Sequence, residues 1–215
     1  MDIEVAKKGI QALINDFRAN YNQYKHELEA NTETKLVEPL FALLGWTKND
    51  FVKRETARRG KNLGFVDYAF KIDGRIVFFL EVKKVGIPLE KEADKQVISY
   101  ALSKRIPFAI STNFEQLKIF CVEQENATTQ VFRVFKNPED YITNLQNLLL
   151  LSKESFEKNL ILKEAENEGR LKKRISINKI LLDDLMHIRK LIADDIEKTY
   201  HAKYEINEKE DAKSG

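Results

Sequence analysis

Within the run VDYAFKIDGRIVFFLEVKK, residues 66–84, Asp67, Glu81 and Lys83 stand among the apolar and aromatic residues that usually fill a buried sheet. A carboxylate inside such a sheet is costly unless something compensates its charge. Either these charges face solvent, or a cation and an anionic substrate account for them. Two carboxylates brought together repel unless a cation separates them, and Asp and Glu oxygens suit a hard ion, Mg²⁺ before others. Lys83 lies two residues beyond Glu81 and so points to the same side of a strand, where it could hold a water or a phosphate oxygen. The plainer alternative is a set of salt-bridged charges at a strand end.

The pairing register decides whether the two carboxylates meet. Asp73-Gly74 is a strong hairpin signal. A two-residue turn there pairs 72 with 75 and 67 with 80, which separates Asp67 and Glu81 onto opposite faces. Shifting by one residue pairs Val66 with Val82, Tyr68 with Leu80, Phe70 with Phe78 and Ile72 with Ile76. All eight then share one apolar face, and Asp67 falls opposite Glu81 on the other. A one-residue slip moves every side chain to the opposite face, so hydrophobic matching favours the shifted register. That register requires a three-residue loop or a β-bulge.

Three further residues could join the site. Glu33 falls in helical register with Leu36, Val37, Leu40 and Leu44, and is either the solvent-edge end of that stripe or a reach toward the carboxylates. Gln96 and Tyr100 are four apart and share a helix face. They read either as a surface amide beside a core tyrosine or as parts of the site.

The elements that must position these residues follow from periodicity. Apolar positions from Ile3 to Tyr24 predict an amphipathic helix over 2–26, and a second helix is expected over 31–44 with Gly45 as its stop. Pro39 inside it should kink it or displace a backbone bond. Extended segments are expected near 52–56, 66–72 and 76–83, then a helix over 89–104. FAIST, LKIFCVE and VFRVF read as three more strands. This order predicts an α/β domain with a mixed sheet flanked by helices. From 139 onward the pattern is helical only. Ser176 is a candidate cap for a helix bearing Ile177, Leu181, Leu185, Ile188, Ile192 and Ile196, and the last eleven residues are polar enough to fray. The expected division is 1–138 for the α/β domain and 139–215 for a helical extension.

Bulk properties narrow the function classes. With 215 residues, 43% hydrophobic and 33% charged, the chain suits a globular domain with an appendage. Its net charge of +2 announces no polyanionic partner, but Lys48, Lys53, Arg54, Arg58, Arg59 and Lys61 cluster locally, and RLKKR spans 170–174. Such runs are either solvated faces or phosphate contacts. The single cysteine, Cys121, fits a reducing cytoplasm and an apolar strand position. The three histidines are too scattered to form a local zinc or His-centred nuclease motif. No signal peptide or membrane span is expected, which agrees with a cytoplasmic location.

At this point the residues resemble a known family. Asp67 followed across a hairpin by Glu81-Val82-Lys83 resembles the PD-(D/E)XK nuclease signature, with Val66 where proline is common. QVISY resembles the Gln-x-x-x-Tyr element of RecB-like and type I restriction nucleases. NTETKLVEPLFALLGW is similar to their preceding helix, whose acidic residue matches Glu33. PFAISTNFEQLKIF is similar to the strand pair closing their sheet. The resemblance covers residues 25–135, and the ordered combination of motifs carries it. SINKILLDDLMHIRKLIADDI is similar to the helical connector of single-chain type IIG or type I-like enzymes. Neither an Asn-Pro-Pro-Tyr motif nor a glycine-rich ATP loop occurs.

The resemblance implies a restriction-endonuclease-like fold and Mg²⁺-dependent hydrolysis of DNA phosphodiester bonds, with Mn²⁺ as an alternative ion. Asp67, Glu81 and the Val82 carbonyl would ligate the ion, with Glu33 on a second ion or its water. Lys83 would orient and help deprotonate the attacking water, or stabilise phosphate charge, with a pKa lowered by the nearby cation. Gln96 would position a phosphate or Lys83. Arg54, Arg58, Arg59, Lys61 and Lys84 would contact double-stranded DNA, with Tyr100 beside them for packing or a backbone contact. Methyltransferase and target-recognition domains would be partners in cis or in other subunits, the chain being a fragment of a larger restriction-modification protein or a stand-alone relative. A catalytically silent DNA-binding or assembly module is the competing expectation.

Overall fold

The computed structural model describes residues 2–59, 62–89, 91–125, 127–173 and 177–211, with side chains undescribed at 57–59, 62–63, 91, 177–180 and 201–211. Lys61 and Ser176 therefore lie outside the described residues, as do the side chains of Arg58 and Arg59.

The first helix, α1 (Ile3–Ala19), starts where the Asp2 carboxylate accepts the Glu4 and Val5 N–H groups, and it buries Ala6, Ile10, Ile14 and Phe17. A break at Asn20 separates it from α2 (Tyr21–His26), so the helix expected over 2–26 is two. The second expected helix is also divided: α3 (Glu29–Thr32), a π-helical turn (Glu33–Val37) and α4 (Glu38–Leu43). Pro39 lacks an N–H and its ring crowds the carbonyl four residues back. The wider π-turn, closed by the Glu38 N–H on the Glu33 carbonyl, accommodates it. Gly45, at φ +90°, ends α4.

Among the described residues six strands then form one sheet in sequence order: β1 (Phe51–Arg59), β2 (Asn62–Ile72), β3 (Arg75–Val82), β4 (Phe108–Thr112), β5 (Leu117–Glu123) and β6 (Thr128–Phe135). Only the β3–β4 pair is parallel. A parallel neighbour needs a crossover, and α5 (Lys91–Lys104) supplies it. The expected α/β class with a mixed sheet and flanking helices is what the chain adopts.

The hairpin register combines both expected solutions. Tyr68 pairs with Leu80 and Phe70 with Phe78, as apolar matching requires, yet Ile72 pairs with Arg75 rather than Ile76. The shift falls between Phe70 and Lys71, so Val77 is the extra residue of a bulge. The two-residue turn survives because the bulge absorbs the slip. Val66 also departs from expectation. It packs with Ala69 and Phe79 in the cluster against α5, whereas Tyr68, Phe70, Phe78, Leu80 and Val82 belong to the cluster on the other face. β2 thus changes face at Asp67. On β1 the facing position, between the Lys53–Tyr68 and Glu55–Val66 pairs, is Arg54 at φ +54°. A left-handed conformation costs an L-residue about 1–2 kcal/mol, so the kink is held by the packing on either side.

Residues after β6 form α6 (Asp140–Thr143), α7 (Leu145–Leu149), α8 (Lys153–Glu157) and α9 (Leu160–Asn167). Their Tyr141, Leu148, Leu151, Phe156, Ile161 and Ala165 complete the larger core beside α1 and α4. The first compact unit accordingly runs over 1–172, past the boundary expected after 138, and 173–215 form the second. That second unit holds α10 (Ile177–Asp211), whose Leu181, Leu185, Ile188, Ile192 and Ile196 are exposed. The helix continues into the polar end that was expected to fray. No helix among the described residues is long and apolar enough to cross a membrane.

Candidate active site

Asp67 and Glu81 meet where the β2–β3 ladder ends. Beyond the Tyr68–Leu80 pair, β3 continues only with β4, through Glu81–Ser111 and Val82–Thr112. The Asp67 carboxylate fills the gap, its Oδ2 accepting the Val82 N–H at 2.8 Å. Glu81 is 1% exposed. Its Oε1 accepts from Lys83 Nζ at 2.7 Å and from Gln96 Nε2 at 2.8 Å, while its Oε2 is buried without a hydrogen-bond partner. Lys83 is tied to β4 by its own N–H on the Thr112 carbonyl at 2.8 Å.

Burial and mutual repulsion set the electrostatics. Burial pushes Asp67 up to about 6, opposed by the Val82 N–H and the Lys83 charge and reinforced by Glu33 and Glu29. Burial again, then the Asp67 charge, pushes Glu81 up to about 7 against the Lys83 contact. Burial alone would lower Lys83, but the Glu81 hydrogen bond and the charges of Glu81, Glu29 and Asp67 outweigh it, so Lys83 is raised. In the protein alone the charges nearest Lys83 are carboxylates, which favour its ammonium form.

Glu29 is the residue that sequence reasoning missed. Partly buried at the start of α3, it acts on Asp67, Glu81 and Lys83 alike. Its signal was present, since Glu29 precedes Glu33 by four residues, one helical turn. α3 is anchored nearby by the Val85 N–H on the buried Thr32 hydroxyl at 3.3 Å. Glu33 itself is engaged elsewhere. The π-turn brings Glu33 and Glu38 together around Tyr68, whose hydroxyl lies 3.1 Å from Glu33 Oε2 and 2.9 Å from Glu38 Oε1. Lys53 Nζ bridges the same oxygens at 3.3 and 2.6 Å and sits over the Tyr68 ring.

The donor set at Asp67 and Glu81 can be tested against a divalent cation. Glu81 Oε2 is an orphaned buried oxygen, and burial, with repulsion from neighbouring carboxylates, raises the pKa values of both groups. Val82 gives its N–H to Asp67 and its side chain to the larger core. Hard oxygen donors of this kind suit a cation such as Mg²⁺. Among the described residues no group of three or more His, Cys, Asp or Glu side chains is arranged to hold a metal, so Glu33 does not supply a third carboxylate.

The other expected contacts divide. Arg54 is exposed at the kink facing Asp67, and Lys84 is partly exposed next to Lys83. Tyr100, expected among the DNA contacts, is 4% exposed in the cluster against α5. Its hydroxyl would stand 2.3 Å from a Cβ at position 64, so the tyrosine packs on Gly64 of β2 and offers no surface to a phosphate. Two residues before Gln96, α5 is fastened a second time. Asp94 accepts from Lys118 Nζ at 2.7 Å and from the Ser111 hydroxyl at 2.6 Å, and Lys118 also reaches the Leu89 carbonyl at 3.0 Å.

No protein-family model and no curated protein matches the chain. Solved structures similar to it include the following two. One is a DrdV–DNA complex determined by cryoEM, 16% identical with a TM-score of 0.46, covering 70% of this chain and 14% of that one. The other is a fragment assigned as an HsdR subunit of a type I restriction enzyme from Vibrio vulnificus YJ016, 21% identical with a TM-score of 0.39, covering 57% and 26% respectively. The chain therefore spans a small part of each.

Proposed function

We propose that the chain is a Mg²⁺-dependent endonuclease module that hydrolyses DNA phosphodiester bonds, of the PD-(D/E)XK kind. The observation that carries this reading is Glu81. It is a fully buried carboxylate beside a second one, braced on one oxygen by Lys83 and Gln96 and left without a partner on the other. A purely structural ion pair would satisfy both oxygens.

Asp67, Glu81 and the Val82 carbonyl would hold the cation, which supplies Lewis acidity toward phosphate and water. Lys83, protonated at neutral pH, places its ammonium where phosphate charge develops and orients the attacking water. Gln96, with Lys83, holds one oxygen of the Glu81 carboxylate and leaves the other without a partner. Arg54 and Lys84 grip the backbone on either side, with Arg58, Arg59 and Lys61 extending the same basic segment in sequence. Within a larger restriction-modification protein, target recognition and methylation would come from other domains or subunits.

Supercoiled plasmid incubated with Mg²⁺ tests the reading. Wild type should nick and linearise it, EDTA should stop it, and Glu81→Ala and Lys83→Ala should each lose about 10²-fold or more, the range for removing one transition-state contact. Cleavage retained in both variants overturns the assignment. Absence of divalent-cation binding by calorimetry, alongside measurable DNA binding, would instead make the chain a silent DNA-binding module.

A further inference from the structure

Phe65 carries an inference that rests on the nuclease reading and deepens it. Of the 13 phenylalanines in the chain, Phe65 alone is exposed, at 59%. Its neighbours keep it so. Gly64 lies under the Tyr100 hydroxyl, and Val66 is fully buried in the cluster against α5. Successive strand residues alternate, so inward positions at 64 and 66 leave Phe65 facing outward. Leaving a phenylalanine in water forgoes the favourable burial of its ring.

Its surroundings indicate what the ring meets. Phe65 pairs with Thr56 across β1 and precedes Asp67 by two residues, about 7 Å along a strand. Exposed Arg54 lies at the break in the β1–β2 register that faces Asp67. A flat apolar face near an exposed guanidinium fits a ligand that is itself flat on one side and anionic on the other, which describes a nucleotide. Bases inside a duplex are already stacked on both faces. A free face belongs to an unpaired nucleotide. We propose that Phe65 is a stacking platform for an unpaired nucleotide beside the Asp67–Glu81 site, so that the favoured substrate is DNA with a single-stranded segment next to the scissile bond.

The full chain carrying Phe65→Trp and Glu81→Gln provides the test. The one native tryptophan, Trp46, is 2% exposed and donates to the Leu151 carbonyl at 2.8 Å, so the new indole is the one accessible to quenching. Oligodeoxythymidylate and a duplex with a central unpaired bubble should quench it at concentrations about tenfold below those of a long blunt duplex, as one stacked base predicts. Equal or stronger quenching by the blunt duplex, or no quenching by any of the three, overturns the proposal. In cleavage assays Phe65→Ala should erase the preference of wild type for the bubble, and an unchanged preference again overturns it. Quenching without cleavage by wild type would sink the nuclease reading and leave the stacking site standing. Cleavage without quenching would do the reverse.

Discussion

The Asp67 carboxylate takes the place of a strand in the sheet: its Oδ2 accepts the Val82 N–H at 2.8 Å where β2 leaves β3. One oxygen of Asp67 thereby satisfies a backbone donor, and the same contact holds the carboxyl group beside Glu81. Structural repair and candidate chemistry share one side chain.

That arrangement makes the metal-free protein sensitive to pH. The folded pKa values of Asp67 and Glu81 are raised from 3.8 and 4.5 to about 6 and about 7. A raised acid contributes stability that is full below its unfolded pKa and is lost as pH rises through its folded pKa. In EDTA, thermal stability should therefore fall between pH 4 and pH 8, with about 2–4 °C lost per kcal/mol for a unit of this size. Glu81→Gln should flatten the fall, and Mg²⁺ should restore the melting temperature at pH 8 more than at pH 5. Differential scanning calorimetry with and without Mg²⁺ checks both.

Glu29 raises Asp67 and Glu81 without a hydrogen bond to either being involved in those shifts, through its charge alone. Glu29→Gln should lower both carboxylate pKa values and shift the same stability transition to lower pH. Carboxyl ¹³C chemical shifts followed through a pH titration read this directly, and unchanged midpoints would show that Glu29 is screened.

Gly64 and Tyr100 should be coupled. A Cβ at position 64 would meet the Tyr100 hydroxyl at 2.3 Å and its ring at 3.2 Å. Gly64→Ala should destabilise by roughly 1–3 kcal/mol as an overpacked contact. Tyr100→Phe in the same chain should recover part of that loss, because the hydroxyl is the nearer obstacle. A double-mutant cycle in urea measures the coupling, and additive effects would contradict it.

Lys118 holds the N-terminal part of α5 through Asp94 and the Leu89 carbonyl. Lys118→Met should leave Asp94 with the Ser111 hydroxyl and loosen that end of the helix, costing roughly 1–3 kcal/mol. Hydrogen exchange should accelerate across the first turns of α5 before the strands respond. Because Gln96 lies on the same helix, divalent-cation affinity should fall as well.

The pairs Tyr68–Leu80 and Phe70–Phe78 were legible in the sequence because apolar alternation leaves few faces on which those rings can be buried. The same matching brought Asp67 and Glu81 together, whereas the four-residue spacing of Gln96 and Tyr100 left open whether that helix face reached them. Glu33 was misplaced because ideal α-helical periodicity does not foresee a π-turn, and that turn hands Glu33 to Tyr68 and Lys53.

By itself, then, the sequence determined the strands of the sheet, the α/β class and the pairing that brings the two carboxylates together, all of which depend on local propensity and short-range alternation. Only the tertiary structure decided the Val77 bulge, the change of face at Asp67, the burial of Tyr100 under Gly64 and the outward turn of Phe65. Each of these depends on packing between segments far apart in the chain, where one face change reassigns every side chain along a strand.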